Sequence, residues 1–400
     1  MLTEQEALTQ ILAVITTMKV ERVALFDALN RFAAKDVLAS LSLPNFDNSA
    51  MDGYAVRAED TLYKEPLRVI AEQPAGISRD LKLEPHTAIR IFTGAPMPSG
   101  ADAVIMQEDV STLDGGKQMV CNEPVSREEN VRLLGCDLCA GQRIVSAGDQ
   151  LSPMKLGVLA SQGFAQTDVI EMLRVAIVTT GDELQAAGQL LAPGQLYNSN
   201  AVMLAALVAQ SATASLSVKH LPDDVSETQH GLQALIAEND FIILSGGVSV
   251  GDHDCVKPAL QALGIEPCFW RVKIKPGKPL LFVQATRPDG GSCFIFGLPG
   301  NPVSSFVTFQ LFVRPALLKA MGAGNDALSL PQSNAVLSAA LNNRGDRPHY
   351  MRGKLLDGKF SATGLQQSHA LFALSQSNAL LRLDAGESCE AGAIKTVLLV

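Results

Sequence analysis

The sequence predicts a multidomain protein of α/β and β class, centred on a doubly wound parallel sheet. Three observations carry this. Residues 174–322 alternate short apolar runs with helical stretches. Most of these runs end in Gly, Pro, Ser, Asn or Asp, as strands do when their carboxyl ends present loops to a ligand. The length, 400 residues, exceeds one ordinary core, so roughly two to four domains are expected.

Strands are expected at 175–179, 215–218, 241–244, 269–274, 280–283 and 294–296, and helices near 200–210, 225–237, 256–263 and 302–321. Phe241-Ile242-Ile243-Leu244 drops into a loop running from Ser245 to Asp254. Gly246, Gly247 and Gly251 permit positive φ and let backbone N–H groups close on an anion. Ser245 and Ser249 add hydroxyls. Asp252 and Asp254 place hard oxygen ligands beside that cradle, which suits Mg²⁺, or one of them caps the next helix. His253 reads as a hydrogen-bonding residue rather than a base.

The turn Lys275-Pro276-Gly277-Lys278 carries two ammonium groups. Strand alternation puts Arg271, Lys273 and Lys275 on one face, fit for a polyanion or for a solvated edge. Phe296-Gly297-Leu298-Pro299-Gly300-Asn301-Pro302 reads as strand, turn and helix start. Pro302 falls in the first helical turn, Asn301 caps it, and the free N–H groups offer a second anion site. Asp182, Glu183, Asp223 and Asp224 follow other strands; each is an acid for the same sheet edge or a helix cap.

The remaining chain frames this centre. Residues 1–45 with 138–172 are expected to form a linking domain, since Ala7, Ile11, Leu12, Ile15 and Met18 keep helical spacing. Residues 46–137 read as an inserted β-rich domain, 173–325 as the α/β domain and 326–400 as a small β-barrel-like domain. In the insert, Met51, Tyr54 and Val56 flank Asp52, and the stretch reads as a solvated loop or as a loop pinned onto another surface with Asp52 held for use. Thr93 sits on a turn, where its hydroxyl meets an anion or closes the turn itself. Spacing alone places Arg352 on the surface.

A net charge of −9 with 18% charged residues argues against nucleic acid as a partner. No apolar run approaches the roughly 20 residues of a membrane span. Seven cysteines, spread thinly, read as reduced thiols of a cytoplasmic protein. Cys136-x-x-Cys139 lacks a second pair or histidines, so coincidence outweighs zinc.

Six motifs in order, Pro44–Ala55, Ile91–Pro96, Thr180–Leu184, Ser245–Gly251, Lys275–Pro279 and Gly297–Pro302, together resemble the molybdopterin molybdenumtransferase family, MoeA in bacteria and the E domain of gephyrin in animals. The resemblance implies a molybdopterin-binding type of α/β domain. It also implies insertion of molybdenum from molybdate into adenylylated molybdopterin with Mg²⁺, releasing AMP and forming molybdenum cofactor. By that resemblance Asp52, Glu183, Asp223, Lys275 and Lys278 act in catalysis, and Asp252, Asp254 and Glu183 hold metal. Thr93, Arg132, Asp137, Gly246, Gly247, Ser249, Gly251, Arg271, Pro299, Pro302, Arg352 and Ser368 bind substrate. Among these, the guanidinium groups of Arg132, Arg271 and Arg352 suit a tetrahedral dianion. Leu133, Leu134 and Cys136 stand where the family is more polar. The resemblance further implies a homodimer with the site between subunits, and a molybdopterin adenylyltransferase upstream. Two other readings stay open: an adenylyltransferase-like enzyme and a gephyrin-like scaffold.

Overall fold

The computed structural model describes residues 1–211, 214–247 and 255–400. Ser249, Gly251, Asp252, His253 and Asp254 of the predicted loop lie outside the described residues. The chain divides into two compact units: Met1–Lys35 with Ala147–Leu156 and Ala165–Val400, and Asp36–Ser146 with Gly157–Phe164.

The first unit is built on a six-stranded sheet. Its elements are β1 (Leu173–Thr180), α1 (Ser199–Ser211), β2 (Ala214–Leu221), α2 (Val225–Glu238), β3 (Phe241–Ser245), α3 (Val256–Ala262), β4 (Phe269–Arg271), β5 (Pro279–Thr286), β6 (Ser292–Leu298) and α4 (Pro302–Thr308). The spatial order is β2–β1–β3–β6–β5–β4. β2, β1, β3 and β6 run parallel, as expected. β5 and β4 are antiparallel additions at one edge. The links either side of β5 are too short for a parallel crossover, so the chain turns straight back.

Burial follows from strand alternation. Val175, Ile177, Phe241, Ile243 and Phe296 pack on one face against α1, α4 and the helix Glu4–Val14. Ala176, Val178, Ile242, Leu244 and Ile295 pack on the other against α2 and α3. Both faces are covered, which is why the central strands are apolar throughout.

Two expected elements are shorter than their patterns. The strand predicted over 269–274 pairs only to Arg271, with a register shift between Phe269 and Arg271; the chain then continues through single bridges, Leu2 with Val272 and Lys275 with His349. The helix predicted over 302–321 is α4, a wide π turn over Phe309–Val313, and the helix Arg314–Ala320. Pro315 lacks an N–H and crowds the preceding turn, and the widened turn accommodates it.

Asp240, just after α2, anchors the sheet. Its carboxylate accepts from the Arg174 N–H at 2.8 Å, from the Arg174 guanidinium, and from Arg287. The carboxylate is 3% exposed and Arg287 11%, while Arg174 stays 45% exposed, so its removal strands chiefly the Arg287 guanidinium. Asp240→Asn is expected to cost about 3 kcal/mol, read as a lower denaturation midpoint in urea with an unchanged slope.

The same unit ends in a closed barrel of five strands, in the order Gln332–Leu337, Lys359–Ala362, His349–Leu356, Ala379–Leu383 and Ile394–Leu399. Ala335, Leu337, Met351, Phe360, Leu381 and Val397 fill it. Tyr350, the neighbour of Met351, points the other way into the core of the α/β sheet. Its hydroxyl donates to Glu4, which also pairs with Arg382.

The second unit carries its own six-stranded sheet, in the order Ala103–Met106, Gly53–Val56, Thr87–Ile91, Leu67–Gln73, Gln118–Cys121 and Val110–Leu113. Tyr54, Val56 and Ala88 pack on one face, and Ala55, Ile89 and Ile91 on the other. Among the described residues, no helix is long and apolar enough to cross a membrane.

Candidate active site

The carboxyl ends of β1, β3 and β6, the turn 275–278 and two segments of the barrel domain line one cleft of about 1290 Å³ in the first unit. Its floor is stitched by Asn200, at the start of α1. The Asn200 amide donates to Ser245 Oγ at 2.8 Å and to the Gly300 carbonyl at 2.7 Å, so the β3 and β6 loops are held to each other. Ser305 Oγ, donating to the Pro299 carbonyl, fixes the second loop from below. Gly246 and Gly247 have φ of 96° and 63°. A Cβ on Gly246 would meet Thr180 O at 2.9 Å, and one on Gly247 would meet Thr180 Oγ1 at 2.9 Å. The loop needs glycine for its conformation and for its close approach to β1.

The cationic wall follows the predicted alternation. Arg271, Lys273 and Lys275 are exposed while Val272 and Ile274 are buried. Of these three, Lys275 lines the cleft, together with Lys278. Among the described residues no carboxylate pairs with either lysine. The backbone of Lys275 is held on both sides: its N–H donates to the Pro348 carbonyl, and its carbonyl accepts from the Tyr350 N–H, both at 2.8 Å. Glu183 and Asp223 bring the acidic groups of the cleft. The neighbouring Asp224 is a helix cap, accepting from the Glu227 N–H at 2.9 Å. Asp182 and Asp223 each accept from the other's backbone N–H. Asn301 stands at the cap position of α4, but its side chain makes no capping bond.

Arg352 corrects the surface expectation: it is fully buried. Its guanidinium donates to the carbonyls of Leu365 and Gln367, and its N–H donates to Gln366 Oε1 at 3.0 Å. Arg352 thereby shapes the segment Gln366–His369 that lines the cleft and includes Ser368. Among the described residues, Nε and Nη1 have no hydrogen-bond partner. The nearby His349 is also buried and lines the cleft, with Nε2 sealed from solvent and unpartnered among the described residues. Burial first, then the charges of Lys275 and Arg352, push its pKa down to about 4.

On the second unit, Asp52 and Thr93 are brought together. Thr93 donates its N–H and its hydroxyl to Asp52 Oδ1, at 2.8 and 3.0 Å. These two bonds, the N–H foremost, hold the Asp52 carboxyl below the usual range, with Arg90 adding a smaller pull. The Thr93 hydroxyl is therefore committed to a carboxylate rather than left open. Arg90 lies over the Tyr54 and Phe92 rings, 5.0 and 5.2 Å from their centroids. Arg132, on a strand paired with Asn48–Ser49, and Asp137 are exposed in the same unit.

Several lining residues were not read from the sequence: Asn200, Arg347, His349 and Gln366. For Asn200 a signal existed, since Tyr197-Asn198-Ser199-Asn200 is a polar cluster at a helix start. Among the described residues, no group of three or more His, Cys, Asp or Glu gathers in one place. Cys136 and Cys139 are exposed free thiols.

The fold and cleft define an α/β protein with a lysine-walled, glycine-floored ligand site at the carboxyl ends of its strands, carrying an added barrel and a β-rich unit. Residues 2–163 match the MoeA N-terminal region (domain I and II), 176–319 the probable molybdopterin binding domain, and 334–400 the MoeA C-terminal region (domain IV). The molybdopterin molybdenumtransferase of Haemophilus influenzae is 35% identical over 91% of this chain and 89% of its own. Molybdopterin molybdenumtransferase 2 of Mycobacterium tuberculosis is 40% identical over 86% of each. The solved molybdopterin biosynthesis MoeA protein of Pyrococcus horikoshii, 29% identical, superposes over all of both chains with a TM-score of 0.83. The chain belongs to the molybdopterin molybdenumtransferase (MoeA) family.

Proposed function

We propose that this protein inserts molybdenum from molybdate into adenylylated molybdopterin, releasing AMP and leaving molybdenum cofactor. The observation that carries the reading is the cleft itself, which Lys275 and Lys278 line together with the Gly246–Gly247 turn, Glu183 and Asp223. Ammonium groups and backbone N–H donors in one cleft suit phosphates and a tetrahedral dianion. The names of the relatives support the substrates. The pterin brings its own sulfurs, so no nucleophilic Ser–His or Cys–His pair is required.

Mg²⁺ typically takes one or two carboxylates and completes its shell with water and phosphate oxygens. Glu183 and Asp223 fit that donor set and would hold it. When bound, the ion neutralises phosphate charge. Lys275 and Lys278 position the phosphates whether or not the ion is present. The reading includes a homodimer in the cytoplasm, with the site shared between two copies and Asp52, Thr93, Arg132 and Asp137 supplied by the second. A molybdopterin adenylyltransferase supplies the substrate.

The test measures AMP release from adenylylated molybdopterin and Mg²⁺, with and without molybdate. Release that depends on molybdate is expected, and it falls roughly a hundredfold in Asp52→Ala. Mixtures of Asp52→Ala and Lys275→Ala chains recover activity if two copies share one site. Release that ignores molybdate points to adenylyl transfer instead. Bound substrate with no release points to a scaffold.

A further inference from the structure

We propose that Arg90 and Gln107 are positioning residues for the Asp52 carboxylate, holding the turn that presents it through a closed ring of bonds. The inference rests on the reading of Asp52 as a group that acts in the reaction, and it names what fixes that group in place.

Asp52 is exposed. Thr93 takes only its Oδ1, with two bonds, and among the described residues Oδ2 accepts none. One oxygen is therefore held and the other is left for a reacting partner, an arrangement that serves chemistry only if the backbone beneath it stays still. Three segments keep it still. The Asp52 carbonyl accepts from the Gln107 N–H at 3.1 Å, where the short turn Gln107–Asp109 begins. The Gln107 side chain reaches across, its Oε1 accepting from Arg90 Nη2. Arg90 Nη1 then donates to the carbonyl of Gly53, the residue after Asp52, at 3.3 Å. Arg90 stands opposite Tyr54 in the strand Thr87–Ile91, three residues before Thr93, so one side chain ties the Asp52 turn to the strand that leads to Thr93. Its contacts with the Tyr54 and Phe92 rings limit how the guanidinium can turn.

The bonding of Arg90 separates this role from ordinary strand anchoring. Both of its acceptors are neutral, a carbonyl and an amide oxygen, and among the described residues it pairs with no carboxylate. Its charge is left to act on Asp52, where it adds to the Thr93 bonds in keeping the carboxyl ionised. Glu108 is the charged group that touches the ring from the turn: it accepts from the Gln107 amide nitrogen at 3.0 Å. With that nitrogen committed, the amide oxygen is the end that faces Arg90.

The experiment compares the native protein with Arg90→Met, Arg90→Lys and Gln107→Ala in single-turnover AMP release and in substrate affinity. The Asp52 carboxyl is titrated in parallel by isotope-edited NMR of the aspartate carboxyl carbons, its resonance assigned by its loss in Asp52→Asn. Arg90→Met is expected to slow release about tenfold to a hundredfold, with affinity within about twofold of native, because the carboxylate is displaced rather than removed. The Asp52 carboxyl is expected to titrate higher in that variant, and Arg90→Lys, which keeps the charge without the fork, restores the titration but only part of the rate. Gln107→Ala, a change at an exposed residue, is expected to slow release about tenfold with little effect on the titration. If Arg90→Met and Gln107→Ala react at the native rate while Asp52→Ala does not, the inference is overturned and the reading of Asp52 stands. If the rate falls only in step with melting temperature and the Asp52 resonance does not move, Arg90 is a structural residue and the inference is overturned as well. Native-rate release by Asp52→Ala overturns the reading of Asp52, and this inference with it.

Discussion

Replacing Gly53 by alanine is expected to destabilise the second unit by about 3 kcal/mol or more. Gly53 begins a strand flanked on both sides, paired with Ile91 and with Met106. A Cβ there would stand 1.9 Å from the Ile105 carbonyl oxygen and 2.9 Å from its carbon. Those atoms are backbone in a hydrogen-bonded ladder, so they cannot swing aside as a side-chain tip would. Relief requires the strands to part, which loosens the packing of Tyr54, Val56, Ala103 and Ile105. It also disturbs Asp52, the preceding residue, and its bonds to Thr93. Thermal unfolding followed by circular dichroism reads the effect. Gly157→Ala provides the contrast: it lies within the helix Pro153–Ser161, with ordinary φ and open space around it. That change is expected to add about 0.5–1 kcal/mol. If Gly53→Ala melted like the native protein, the close approach between strands would not be what this glycine serves.

The sequence was most readable where structure is local. The Ser-Gly-Gly, Lys-Pro-Gly-Lys and Leu-Pro-Gly-Asn turns are written in the residues that make them, and Gly246, Lys275 and Pro299 all reach the cleft. Strand positions in the sheet were equally visible, since both faces are buried and the runs are apolar. Strand direction was not, because it depends on the length of connections rather than on the runs they join. Arg352 shows a second limit. Alternation predicts an exposed face on a barrel strand, yet His349 to Gly353 are buried at all five positions. One side of that strand fills the barrel through Met351, and the other packs on the α/β core through Tyr350. A strand buried on both faces has no polar side to read, so spacing put Arg352 on the surface and left His349 unread, and it was the family resemblance that made Arg352 a site candidate. Asn200 is similar: its role is to join two loops, and neither loop is its neighbour in sequence.

Lys275→Ala is expected to lower molybdate-dependent AMP release by about a hundredfold to a thousandfold, with little change in melting temperature. The separation of the two effects comes from the structure. The backbone of Lys275 holds its place through the bonds with Pro348 and Tyr350, which an alanine preserves. The side chain is exposed and has no carboxylate partner among the described residues, so truncating it breaks no ion pair described there. What is lost is a positive charge on the wall of the cleft where the substrate's phosphates and the dianion would sit. There a fixed donor counts for several kcal/mol against charge developing in the reaction, by the conversion of about 1.4 kcal/mol per tenfold in rate. Lys278→Ala is expected to follow in the same direction, since the second ammonium lines the same cleft. Lys275→Arg keeps the charge but replaces a compact ammonium with a planar fork, so it recovers binding better than rate. Single-turnover AMP release, compared with substrate affinity measured separately, distinguishes the two. A Lys275→Ala protein that turned over at the native rate would place the chemistry elsewhere and leave the lysine wall as a binding surface only.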